Sequence, residues 1–219
     1  MSQLVPAQFL FRWSFPVRRI GSVPHRSGRL LDLPEDCRLP SLAELDSSPG
    51  FADVRLAWND GGLGLSVEVR GRTRRLKCST ASPSVSDGLH VWFDTRNTKT
   101  VHRATKFCQQ FSLLPSGGGR TEADPLAIAI PLARAREELL PSDTSPIRLQ
   151  SEVRSDGYWL DAWLPAEVLV GYDPLQHPRL GFHYLIRDSE LGEQSLAVGG
   201  EFPFASDPSL WQTIELTDD

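Results

Sequence analysis

The 219-residue chain carries 28 acidic residues against 23 Lys and Arg, a formal net charge of -5, so it lacks the basic surface that nucleic-acid binding draws on. Its 40% hydrophobic and 23% charged content is that of a globular protein able to bury a core and excludes a wholly disordered chain. Cys37, Cys78 and Cys108 are odd in number and widely spaced; this argues against a disulfide framework or a cysteine-based zinc site and suits free, buried thiols in a reducing compartment.

Taken in chain order, the N-terminal stretch MSQLVPAQFLFRWSFPVRRIG is interrupted by Arg12, Pro16, Arg18 and Arg19, and no signal peptide is predicted. No uncharged apolar stretch approaches the roughly 20 residues a membrane helix needs. The expectation is a soluble, cytoplasmic protein with neither nucleic acid nor membrane as partner. A first strand is predicted over 9–15. Val54, Leu56 and Trp58 then alternate with polar or small residues, Asn59, Asp60, Gly61 and Gly62 supply a turn, and Leu63, Leu65, Val67 and Val69 alternate again. That pattern predicts a hairpin, because Asn, Asp and Gly tolerate the positive φ of tight turns.

Further strands are predicted over 89–94, 107–114, 147–153, 158–164, 180–187 and 211–216. One helix is predicted over 131–140, where Pro131 opens a run rich in Ala, Arg and Glu; a short turn is expected after Pro165. Many strands with rare short helices predict an all-β, jelly-roll-like antiparallel sandwich with one or two short helices. A single domain over 1–219 is expected, with 8–50 as an N-terminal strand segment.

The order of segments resembles the family 9 carbohydrate-binding modules and the wider DOMON-like sandwiches, over about residues 51–216. VRLAWND followed by GLGLSVEV matches an aliphatic-x-Trp-Asp strand, a tight turn and its partner. SDGLHVWFDTRNTKT and KFCQQFSL correspond to the Asp-Ser-Val-Glu strand and the strand after it, and DGYWLDAWLPAEVL, LGFHYLIRDSE and SDPSLWQTIEL follow in the family's order. The resemblance implies a non-catalytic sugar-binding sandwich, with sugar held between two tryptophans and structural calcium as an option. This sequence departs from that pattern. Ala81 to Ser86 contain no aromatic where one stacking Trp is expected, Phe204 stands alone where the other is expected, and Gln109, Gln110 and Phe111 occupy the stretch of a sugar-binding Arg.

Strand parity adds a candidate site. Leu89, Val91 and Phe93 form one face of their strand and leave His90, Trp92 and Asp94 on the other; Tyr158, Leu160, Ala162 and Leu164 likewise leave Trp159, Asp161 and Trp163. Aromatic faces can bury the apolar side of a pyranose while polar neighbours read its hydroxyls. The predicted ligand-binding set is therefore Trp92, Trp159, Asp161, Trp163, His90, Arg96, Asn97 and Phe204. The competing arrangement has the N-terminal segment covering these tryptophans as part of the core. Trp58, in phase with Val54 and Leu56, reads as core.

His102, Arg103 and Lys106, with Arg96 and Lys99, make a basic stretch that reads as a solvated loop or an anion site. Asp188, Glu190 and Glu193 are the oxygen donors considered for calcium, without an EF-hand loop; they read first as an exposed acidic turn. No nucleophile elbow, HExxH motif or phosphate loop is present, and Met1 is the only methionine, which removes a Met-ligated haem. No cofactor is predicted. Three functions stay open: a glycan-recognition module, a protein-interaction domain that keeps the fold without the sugar site, and a hydrolase of unknown type.

Overall fold

A computed structural model describes residues 13–40, 50–137 and 141–218. Among these, eleven strands form two sheets. The larger has seven strands: β1 (Ser14–Arg18), β11 (Gln212–Thr217), β9 (Arg179–Asp188), β4 (Gly88–Asp94), β5 (Cys108–Gly118) and β6 (Asp124–Ala129) in spatial order, with β10 (Gly192–Ser195) also pairing with β9. The smaller has the order β2 (Ala52–Asn59), β3 (Gly62–Arg70), β8 (Gly157–Pro165) and β7 (Arg148–Arg154). All pairings are antiparallel except β1 with β11, which is parallel. The all-β sandwich predicted from alternation is the observed architecture.

The two sheets face each other across a shared core. Leu89, Val91 and Phe93 of β4 meet it from one side, and Tyr158, Leu160, Ala162 and Leu164 of β8 from the other, together with Val54, Leu56 and Trp58 of β2. Trp58 donates its indole N–H to the Thr217 carbonyl at 2.9 Å, satisfying the one polar atom that its burial isolates. The β2–β3 hairpin has Asn59 opposite Gly62, so Asp60 and Gly61 form a two-residue turn. Gly62 has φ 147°, and a Cβ there would run into the Leu164 carbonyl; glycine is required by close backbone approach. Asn59 also donates to the carbonyls of Ile20 and Val23, at 3.0 and 2.7 Å, tying the hairpin to the N-terminal segment.

Two expectations change. Residues 131–137 form turns and bends, not a helix, and 138–140 lie outside the described residues. Arg134 holds φ 58°, and the Arg136 amide donates to Ala104 O at 2.8 Å, so pairing with a neighbouring loop overrides helix propensity there. Strand β1 begins at Ser14, while 9–12 of the predicted first strand lie outside the described residues. Strands β6 and β10 were not anticipated: the first is a half-exposed edge strand and the second spans four residues, both too weakly alternating to read. The turn expected after Pro165 is a 3-10 segment, Ala166–Val168.

Candidate functional site

Strands β4 and β8 belong to different sheets, and their core faces point toward each other. Their second faces are therefore the two opposite exteriors of the sandwich, and the predicted site residues divide into two groups that cannot touch one ligand.

On the exterior of the seven-stranded sheet, Trp92 stands opposite Gln110 of β5 and His183 of β9. Residues 198–211 cross over this row. Phe204 lies edge-on to Trp92 at 5.1 Å between ring centroids and 4.4 Å from the His183 ring; Val198, Trp211, Leu185, Leu132, Cys108 and Ala104 belong to the same cluster. The Trp211 indole N–H donates to Phe204 O at 2.8 Å and holds the crossing segment in place. Trp92 is 2% exposed, so this face is covered and presents no open platform. Three polar atoms beneath the cover, Trp92 Nε1 and both ring nitrogens of His183, have no hydrogen-bond partner. Burial pushes His183 down to about 3, which keeps its imidazole neutral. A cavity of about 20 Å³ borders Cys108, Gln110, Ile130 and Leu132, room for one water. His183 was missed in the sequence because it sits among large apolar residues in HYLIR; its parity with Trp92 becomes visible only through the strand register.

His90 lies two residues along β4 from Trp92. Its Nδ1 is 2.9 Å from Ser112 Oγ and its Nε2 is 3.0 Å from Ser86 O, and burial lowers it to about 4. Arg96 and Asn97 follow the same strand. Arg96 stacks over Phe107 at 4.2 Å and donates to Gly171 O at 2.7 Å, whereas Asn97, at φ 47°, accepts from Thr213 Oγ1 at 3.2 Å. Both are occupied in bracing the loop after β4.

The other group is closed differently. For Trp159, Asp161 and Trp163 the sequence left two arrangements open, a solvent-facing row or a row covered by the N-terminal segment; they are 7%, 0% and 5% exposed, and the segment around residues 20–39 covers them. Trp163 packs against Val23, Leu30, Leu31, Leu33 and Cys37. Arg29 stacks on Trp159 at 4.6 Å and reaches Asp161 with Nε and Nη2 at 3.0 and 3.2 Å. Asp161 also accepts from Ser66 Oγ at 2.7 Å and from the Leu31 amide at 3.2 Å, while Trp159 Nε1 donates to Glu152 at 3.1 Å. Parity placed the row away from the core correctly. The covered arrangement is the one observed: a bidentate guanidinium and an apolar strap lie over the row, which presents no open platform.

The carboxylates considered for calcium do not form a donor set. Glu190 accepts from the Thr73 and Arg74 amides at 2.9 and 2.7 Å, Glu193 pairs with Arg187 at 2.8 Å, and Asp188 accepts from the Glu190 and Leu191 amides, both at 2.9 Å. Asp188 also lies 3.0 Å from Arg72 Nε, an ion pair whose angle is not that of a hydrogen bond. Arg72 reaches Asp87 as well, at 3.2 Å. These acids are committed to loop amides and arginines and do not fit an oxygen cage.

A carbohydrate binding module family 9 from Caldicellulosiruptor kristjanssonii, in complex with cellotriose, shares this architecture with TM-score 0.65 at 14% identity, over 94% of this chain and 95% of that one. The chain has the fold of a family 9 carbohydrate-binding module. A family 9 module from the same organism, in complex with glucose, also gives TM-score 0.65, at 15% identity over 94% of this chain and 97% of that one. No protein-family model matches the sequence, and neither does the sequence of any curated protein. The family 9 likeness therefore rests on three-dimensional arrangement, and at this identity it speaks to fold.

Proposed function

We propose that the chain is a non-catalytic recognition module that binds a glycan on the exterior of the seven-stranded sheet, around Trp92, His183 and Phe204. The observation that carries this reading is the whole-length likeness to modules whose structures contain cellotriose and glucose. The chemistry beneath residues 198–211 supports it: two aromatic rings beside polar atoms that lack protein partners suit a sugar ring with its hydroxyls. Because Trp92 is almost wholly covered, binding requires part of the 198–211 segment to give way.

Isothermal titration against a panel of neutral and acidic oligosaccharides tests the reading. At least one glycan is expected to bind, with Phe204→Ala weakening it about tenfold, or about 1.4 kcal/mol. Intrinsic fluorescence should change with the same midpoint as the heat. A folded protein that binds nothing on the panel overturns the proposal. One observation favours a protein-interaction domain instead: five of the six tryptophans are at most 7% exposed, and Trp13 is half-buried, so none stands ready at the surface for stacking. Absence of glycan binding together with a defined complex with a purified partner would support that second reading.

A further inference from the structure

Four cations gather where two loops interlock above the Trp92 cluster. Arg103 donates from Nε and Nη2 to the carbonyls of Arg134 and Ala135, at 3.0 and 2.8 Å, and the Arg136 amide donates to Ala104 O at 2.8 Å. Ala104 and Ala135 pack into the same apolar cluster as Trp92 and Phe204. The loops are thus fixed to each other and to the face assigned above to glycan. Arg103, Lys106, Arg134 and Arg136 are exposed or nearly so, and among the described residues none is ion-paired with a carboxylate. Several other arginines carry such a partner, among them Arg29 with Asp161, Arg72 with Asp87 and Arg187 with Glu193. Arg134 also holds φ 58°, a conformation uncommon for a residue with a side chain.

Among the described residues no carboxylate forms an ion pair with the group. Glu137 accepts from the Lys106 amide at 3.3 Å, and Asp207 pairs with His102 at 3.1 Å; Glu138 follows in the sequence outside the described residues. In a chain of net charge -5, clustered unpaired cations repel one another and attract an external anion. Guanidinium groups present paired donors that match the oxygens of a carboxylate or a sulfate.

We infer that Arg103, Lys106, Arg134 and Arg136 form an anion-reading rim, so that the preferred glycan carries carboxylate or sulfate groups. This inference rests on the recognition-module reading. Arg103 braces the loops, so the test uses the triple variant Lys106→Gln, Arg134→Gln, Arg136→Gln, with its melting temperature checked against the parent. Titrations use cellotriose, an oligogalacturonate and a chondroitin sulfate oligosaccharide, at 20 mM and 500 mM NaCl. An acidic oligosaccharide is expected to bind at least tenfold more tightly than cellotriose at low salt; high salt should erode that preference, and the triple variant should lose it. Preference for the uronate over the sulfate ester, or the reverse, identifies which anion is read. Equal affinity for neutral and acidic sugars, or a preference that survives in the folded variant, overturns the rim while leaving glycan recognition standing. Absence of binding to every sugar overturns both.

Discussion

His183 offers a sharp test of how the exterior of the larger sheet is built. Its ring is wholly buried without a partner for either nitrogen, and burial lowers it to about 3. His90, hydrogen-bonded to Ser112 and Ser86, is lowered to about 4. A histidine that stays neutral when folded but accepts a proton near pH 6.5 when unfolded stabilises the fold fully above pH 6.5. That contribution is lost as pH falls toward the folded value. Between pH 7 and pH 5 each such histidine removes about 2 kcal/mol, so the pair removes about 4 kcal/mol. The perturbation is His183→Leu, a replacement of similar bulk. At pH 7 it should cost little or add stability, because two unpartnered buried nitrogens disappear. Between pH 7 and pH 5 the variant should lose about 2 kcal/mol less than the parent. Urea unfolding at the two pH values, followed by far-UV circular dichroism, measures both quantities. Equal acid losses in parent and variant would show that His183 is not held neutral and would refute the burial argument.

Asp161→Asn should weaken the N-terminal strap, because the Arg29 guanidinium loses its charged partner while remaining stacked on Trp159. Since Arg29 is 36% exposed, water can recover part of the loss, and about 2 kcal/mol is expected, below the range for a fully buried pair. Trypsin should cut after Arg26 or Arg29 faster than in the parent, and unchanged cleavage would contradict the strap's dependence on this pair. Arg72→Met should be more damaging, because it leaves the buried Asp87 and Asp188 without their cation. A loss of about 3–5 kcal/mol, roughly 6–20 °C in melting temperature, is expected by calorimetry; a shift under about 2 °C would mean that the loop amides alone suffice for these acids.

Much of the sandwich was legible because alternation is a local property. The β2–β3 hairpin announced itself through Asn59, Asp60 and the following glycines, and the inward faces of β4 and β8 could be read from Leu89, Val91 and Phe93, and from Tyr158, Leu160 and Ala162. The loop at 131–137 was misread as helix because a run of Ala, Arg and Glu carries helix propensity, while the interlock with residues 103 and 104 that overrides it is nonlocal. The candidate site was legible only in halves. Trp92 and Phe204 meet as members of one cluster, and His183 joins them through the register of β4 with β9.

The sequence by itself determined which side chains turn away from the core, since neighbouring residues on a strand must point to opposite faces. Only the tertiary structure decided that the Trp92 row and the Trp159–Trp163 row lie on opposite exteriors, and that each is roofed: one by residues 198–211, the other by the strap carrying Arg29. Parity says where a side chain points, but what covers it comes from segments more than a hundred residues away in the chain. The energy of that covering is the burial of large apolar rings, a contribution that no pattern within a strand reveals.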